Sequence, residues 1–203
     1  MHAQSGQRGC SRIIYARSPK EIQEVRRLFR EYEAFLNVDL CFQQFESELE
    51  NLPGKYAPPA GTLLLAMDGQ KAVGCGALRR LGAIQDRTCE MKRLFVCPEA
   101  RSLGTGGQIA GQLIQEGVRL GYSTMLLDTL DRLKSAIHLY ESLGFVRTEP
   151  YYDNPLPGVV YWKLDLICLN RSKKGNGSGL KAIWPPSWRD CPAESRALRG
   201  GKY

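Results

Sequence analysis

The stretch Glu90-Met91-Lys92-Arg93-Leu94-Phe95-Val96-Cys97-Pro98-Glu99-Ala100-Arg101-Ser102-Leu103-Gly104-Thr105-Gly106-Gly107 decides the fold. It reads as a strand, a proline-marked turn and a glycine-rich loop that opens into an amphipathic helix. A regular strand here puts Glu90, Lys92, Leu94 and Val96 on one face and Met91, Arg93 and Phe95 on the other. Pro98 cannot donate a ladder hydrogen bond, so the strand ends near Cys97. Beyond the loop, Ile109, Ala110, Leu113, Ile114, Val118 and Leu120 recur with a helical period. Thr124 to Thr129 then supplies another strand. A strand, a crossover helix and a second strand make a βαβ unit, so the two strands lie parallel.

Working toward the N-terminus, Lys71 to Leu81 and Thr62 to Met67 read as strands joined by a hairpin at Asp68-Gly69. Gly74 and Gly76 mark either a bulge or a close backbone approach. The Gly54 to Gly61 loop, rich in proline, is expected to be exposed. Phe42 to Leu52 forms a weaker helix stopped by Pro53-Gly54. Ser18-Pro19-Lys20-Glu21 has the form of a capping box, and Ile22, Val25, Phe29, Tyr32 and Phe35 form the apolar stripe behind it. Ile13 to Tyr15 is a short first strand. Toward the C-terminus, a helix carries Leu133, Ala136, Ile137, Tyr140 and Leu143 on one stripe and ends at Gly144. Phe145 to Thr148 is a strand, Tyr151 to Gly158 a turn-rich loop, and Val160, Trp162, Leu164 and Leu166 alternate as a last strand.

The 203 residues suffice for one domain with a substantial core. That domain runs over 12–166. Residues 167–203 carry eight basic against two acidic side chains and so hold +6 of the net +7. This Gly/Pro-containing extension is expected to be poorly ordered. Because the basicity belongs to the tail, no nucleic-acid partner is expected of the domain. No apolar run approaches the roughly 18 residues of a membrane span. Seven scattered cysteines without a C-x-x-C pair indicate neither a disulfide framework nor a metal site. A reducing cytoplasm is the expected location.

Arg101 beside three glycines at a helix start suits a phosphate, because unpaired N–H groups and the positive dipole end meet there. The Arg101-x-x-Gly104-x-Gly106 motif resembles the pyrophosphate loop of the GNAT superfamily of acetyl-CoA-dependent N-acetyltransferases. Ala136-Ile137-His138-Leu139-Tyr140-Glu141-Ser142-Leu143-Gly144-Phe145 is similar to that family's A-x-x-L-Y-x-x-L-G-F signature. One departure is that Leu133 stands where the family often has asparagine.

The resemblance implies an α/β (α+β) fold, with a mixed, mostly antiparallel sheet of about six or seven strands flanked by about four helices. It implies acetyl-CoA as co-substrate, no metal, and transfer of acetyl to the primary amine of a small molecule by direct attack in a ternary complex. Arg101, Ser102, Leu103, Gly104, Thr105, Gly106 and Gly107 would hold the pyrophosphate, with Lys134 near a CoA phosphate. Leu94, Phe95 and Val96 would pair with pantetheine and supply an oxyanion contact. Glu90 would be the base, directly or through water, and Tyr140 the acid that protonates the thiolate. Lys92, Arg93 and the Tyr151–Gly158 loop are candidates for the acceptor pocket. A homodimer is compatible with the resemblance. The alternative reading is a catalytically silent acyl-CoA-binding sensor of the same fold.

Overall fold

The computed structural model describes residues 11–83 and 86–167, so the basic extension beyond Ile167 lies outside the described residues. Its elements are β1 (Arg12–Tyr15), α1 (Pro19–Leu36), α2 (Phe45–Glu50), β2 (Thr62–Asp68), β3 (Lys71–Leu81), β4 (Thr88–Val96), α3 (Thr105–Arg119), β5 (Thr124–Leu130), α4 (Lys134–Ser142), β6 (Val146–Thr148) and β7 (Val159–Asp165). The strands form one seven-stranded sheet in the order β1-β2-β3-β4-β5-β7-β6. Every pairing is antiparallel except β4 with β5, the pair joined through α3.

Local signals explain most of these elements. Ser18 and Glu21 form the capping box: the Glu21 N–H donates to Ser18 Oγ at 3.3 Å and the Ser18 N–H to Glu21 Oε2 at 2.8 Å. The helix read over Phe42–Leu52 is instead a 3-10 turn at Cys41–Gln43 followed by α2, because Gln44 between them takes a left-handed φ of 56°. The Gly54–Gly61 loop is not wholly exposed. Tyr56 is fully buried and its hydroxyl donates to Glu48 Oε1 at 2.9 Å. Gly106 and Gly107 lie in the first turn of α3, so the glycine-rich loop is shorter than its sequence suggests.

Two cores cover the two sheet faces. One holds Ile109, Leu113 and Tyr140 of α3 and α4, and the other Val25, Phe29, Phe45 and Leu49 of α1 and α2. β4 contributes to both in a way that overturns the simple alternation. Its register against β3 passes from Ala77↔Lys92 to Cys75↔Phe95, an extra β4 residue, and Arg93 has a φ of 58°. This bulge shifts the phase. Met91 therefore shares the α3 face with Leu94 and Val96, while Phe95 and Cys97 belong to the α1 face.

Gly76 lies opposite the bulge, and both readings of the β3 glycines hold. A Cβ there would meet Ile109 Cγ2 at 2.6 Å and Leu113 Cδ1 at 2.9 Å, so α3 sits too close for a side chain. Gly76→Ala is expected to destabilise the fold by about 1–3 kcal/mol through overpacking. Urea unfolding checks this, and an unchanged midpoint would show that α3 has room to move.

Candidate active site

β4 and β5 pair only at Thr88↔Thr124, Cys89↔Met125 and Glu90↔Leu126. Beyond these positions they separate, because β5 stays paired with β7 along its length and β4 with β3. A cavity of about 480 Å³ fills the opening. Met91 to Val96 form one wall and Asp128 to Leu130 the other, with Tyr32, Phe35 and Leu36 of α1 on one side and Ala136, Leu139 and Tyr140 of α4 on the other.

The backbone of β4 is open toward this cavity. The Cys97 N–H donates to Val73 O at 2.9 Å, so strand alternation turns the Val96 N–H and C=O to the opposite edge, where β5 has already left. Buried backbone groups of this kind need a partner. Arg101 Nε donates to Val96 O at 3.0 Å, and its guanidinium stacks on Phe35 at 4.3 Å. No side chain caps the start of α3 or of α4. Gly104 precedes α3 with a φ of 77°, and Ser102 has a φ of 66°, so the chain turns sharply before the uncapped N–H groups.

Of the residues named from sequence, Leu94, Phe95, Val96, Arg101, Gly106, Lys134 and Tyr140 line the cavity, as do Lys92 and Arg93. Ser102, Leu103, Gly104, Thr105 and Gly107 build the adjoining loop and first turn of α3 without lining it. Tyr140 is buried against Phe145, with ring centroids 5.8 Å apart, and its hydroxyl has no hydrogen-bond partner among the described residues. Burial, with smaller contributions from Tyr32 and Asp128, pushes that hydroxyl well above the ordinary tyrosine range. Tyr140 is therefore protonated at neutral pH.

Glu90 is placed differently. It is 0% exposed and does not line the cavity. Arg79 Nε donates to its Oε2 at 2.6 Å and the Tyr151 hydroxyl to its Oε1 at 2.8 Å, with Lys92 Nζ 3.6 Å away. The carboxylate on the cavity wall is Asp128. Lys92 Nζ donates to Asp128 Oδ1 and the Tyr152 hydroxyl to Oδ2, each at 3.0 Å. Burial raises the Asp128 carboxyl, but the Lys92 charge and these two hydrogen bonds outweigh it and hold the carboxyl below its usual range. Arg79, Glu90, Lys92 and Asp128 thus form a chain of alternating sign, buried at Glu90 and Lys92 and half-buried at its two ends.

Sequence reasoning missed Asp128, Gln43, Glu48 and Arg132. Asp128 had a signal, an acid inside the apolar run Met125 to Leu130. Gln43, Asn154 and Leu156 reach the cavity from segments without period. Glu48 holds the bulge residue: Arg93 Nε donates to Glu48 Oε1 at 2.9 Å and Nη2 to Oε2 at 3.1 Å, with both side chains 3% exposed.

This arrangement of fold and cleft is that of an acyltransferase. The acetyltransferase (GNAT) family model matches residues 22–145, and the chain belongs to that family. It is 45% identical over 155 residues to an uncharacterised N-acetyltransferase of Schizosaccharomyces pombe, spanning 76% of this chain and 94% of that one. It is 31% identical to an uncharacterised N-acetyltransferase of Dictyostelium discoideum, over 72% of this chain and 95% of that one. A GNAT-family acetyltransferase from Staphylococcus aureus superposes with a TM-score of 0.63 at 22% identity, covering 77% of this chain and 99% of that one. A Salmonella typhimurium protein solved with its cofactor acetyl-CoA shares the fold at a TM-score of 0.56 and 18% identity, over 78% of this chain and 95% of that one. No described helix is long and apolar enough to cross a membrane.

Glu48→Ala would leave Arg93 charged and buried without its partner, and is expected to cost about 3–5 kcal/mol of stability. The Glu48 and Asp128 carboxyls are both held below their usual range in the folded state. Their stabilisation is complete above the unfolded-state values and is lost as pH falls from about 5 through the depressed folded values. Thermal melting from pH 7 to pH 3 should show this decline, and a flat profile would refute it.

Proposed function

We propose that the protein transfers acetyl from acetyl-CoA to the primary amine of a small molecule by direct attack in a ternary complex. The observation that carries this reading is the open β4 edge from Leu94 to Val96, lying beside the uncapped start of α3. An extended chain of amides pairs with such an edge as an added strand would. A pyrophosphate suits the N–H groups and positive dipole end that follow it. The residues present therefore fit acetyl-CoA, which supplies the acetyl group as a reactive thioester.

The chain's own groups would then act as follows. A free N–H on the β4 edge donates to the thioester carbonyl oxygen as charge develops there. The amine nitrogen forms the new C–N bond, the C–S bond breaks, and Tyr140 gives its proton to the departing sulfur. Tyr140 suits this role because burial keeps it protonated and no neighbour among the described residues occupies its hydroxyl. The amine enters as an ammonium and loses two protons, one to solvent before it attacks and one that returns Tyr140 to its neutral form. Glu90 would assist this deprotonation from behind the wall, by holding Lys92 Nζ in place beside the amine. Asp128, kept ionised, faces the amine itself.

The test is CoA-thiol release from acetyl-CoA against a panel of amines. Tyr140→Phe is expected to lower kcat by roughly 10²–10⁴-fold while acetyl-CoA affinity stays within about twofold. Equal loss of both would remove the acid role. Gly104→Ala, which strains a left-handed residue, combined with Arg101→Ala should weaken acetyl-CoA binding by roughly tenfold or more in calorimetry. Unchanged affinity would place the phosphates elsewhere.

A further inference from the structure

The acceptor end of the cavity has a hydrogen-bonding inventory that leaves one group unfilled. Tyr152 is its hub. The Tyr152 hydroxyl has one proton, and that proton goes to Asp128 Oδ2, because an ionised carboxylate only accepts. The hydroxyl oxygen must therefore take donors from its other neighbours. Asn154 Nδ2 donates to it at 2.7 Å and Gln43 Nε2 at 3.3 Å. This fixes both amides. Asn154 Oδ1 accepts from the Leu156 N–H at 3.1 Å, so Asn154 is satisfied on both sides. Gln43 is not: its Oε1 is buried without a partner among the described residues. Reversing the Gln43 amide would set its oxygen against a hydroxyl whose proton is already committed, so the orphan is a property of the site. A buried carbonyl oxygen left unpaired costs free energy until a donor arrives.

The charges on the same walls are unequal. Lys92 lies against Glu90 and Asp128, and Arg93 is taken up by Glu48. Arg101 and Lys134 belong to the ends of the cavity assigned above to phosphates. Arg132 remains. It lines the cavity, donates to the backbone oxygen of Leu36, and among the described residues has no carboxylate partner. Leu36, Leu40 and Gln43 line the same cavity. The cavity therefore presents an anion, Asp128, held by the Tyr152–Gln43 network, and a cation, Arg132, without a carboxylate partner among the described residues.

We infer that the acceptor is a small amine carrying its own carboxylate, the amino group received by Asp128 and the carboxylate by Arg132. This rests on the acetyltransfer reading of the site. A guanidinium matches a carboxylate in charge and in planar geometry. A polyamine fits poorly, because its second ammonium would meet the Arg132 guanidinium in place of a carboxylate. Arg132 is the specificity-determining residue in this scheme and Gln43 a positioning residue that holds Tyr152 against Asp128, neither with a part in the bond-breaking step.

The full chain with acetyl-CoA is assayed for CoA-thiol release on amino acids, on their carboxamides and on spermidine. Amino acids should exceed carboxamides by roughly tenfold or more in kcat/KM. Arg132→Gln should raise the amino-acid KM roughly ten- to hundredfold, leave the carboxamide KM within about twofold, and leave the acetyl-CoA Kd unchanged. Gln43→Leu should raise KM for both kinds of amine with little loss of kcat. Carboxamides or spermidine used as well as amino acids would overturn the inference while leaving the acetyltransferase reading standing. An Arg132→Gln variant that loses acetyl-CoA affinity in place of amino-acid affinity would overturn it too, by assigning Arg132 to the co-substrate. Acetyl-CoA bound in calorimetry with no amine of any kind acetylated would overturn both.

Discussion

The parting of β4 from β5 is the constraint on which the rest of the structure depends. Two parallel neighbours in a sheet ordinarily continue side by side, since each lost pairing strands backbone donors and acceptors. Here they share three paired positions, after which β5 follows β7 and β4 follows β3. The antiparallel pairings on either side cover far more residues than the parallel one between them, so the sheet opens at its least extensive seam. The opening places a free strand edge, two uncapped helix starts and both hydrophobic layers around one space. No loop insertion is needed to make the cavity. It is a consequence of strand order.

Buried charge maintains that opening. Arg79, Glu90, Lys92 and Asp128 cross from β3 through β4 to β5 in alternating sign, so they tie the strands near the point where ladder hydrogen bonds cease. Burying such groups costs free energy that their mutual attraction only partly offsets, so the chain makes the opening specific more than it makes it stable. The Arg93–Glu48 pair does a related task. Arg93 sits at a φ that a side-chain-bearing residue seldom adopts, and two hydrogen bonds from its guanidinium to Glu48 hold it there. The bulge and the helix that anchors it are therefore set together.

The pieces legible in sequence were those governed by local rules. The capping box at Ser18–Glu21, the βαβ unit across α3 and the left-handed Gly144 each depend on a few adjacent residues. The facing of β4 was not legible. Nothing in Lys92-Arg93-Leu94 marks a bulge, because the φ of Arg93 is imposed by Glu48, distant in sequence and close in space. The same limit applies to the site. Tyr140, the Arg101–Gly107 loop and the Tyr151–Gly158 loop that carries Asn154 sit in compact stretches, whereas Gln43 and the Asp128–Arg132 stretch come from distant parts of the chain that only the fold brings together. Gln43 in particular follows from no periodicity, and its importance rests on one proton that Tyr152 gives elsewhere.

Residues remote from any ligand also fix the site. Gly74 and Gly76 leave no side chain between β3 and α3, so Ile109 and Leu113 settle directly on the sheet. The depth of that contact sets where α3 begins relative to the end of β4. Gly106 extends the same close packing into the first turn, where a Cβ would lie 3.6 Å from Val96 Cγ2 and 3.7 Å from Leu139 Cδ2. The helix start, the last residue of the strand edge and the signature helix α4 are thus held in mutual contact. A shift of α3 away from the sheet would move its dipole end away from the Val96 edge of β4. Glycine on β3 thus shapes the α3 end of the cavity as much as glycine in the loop does.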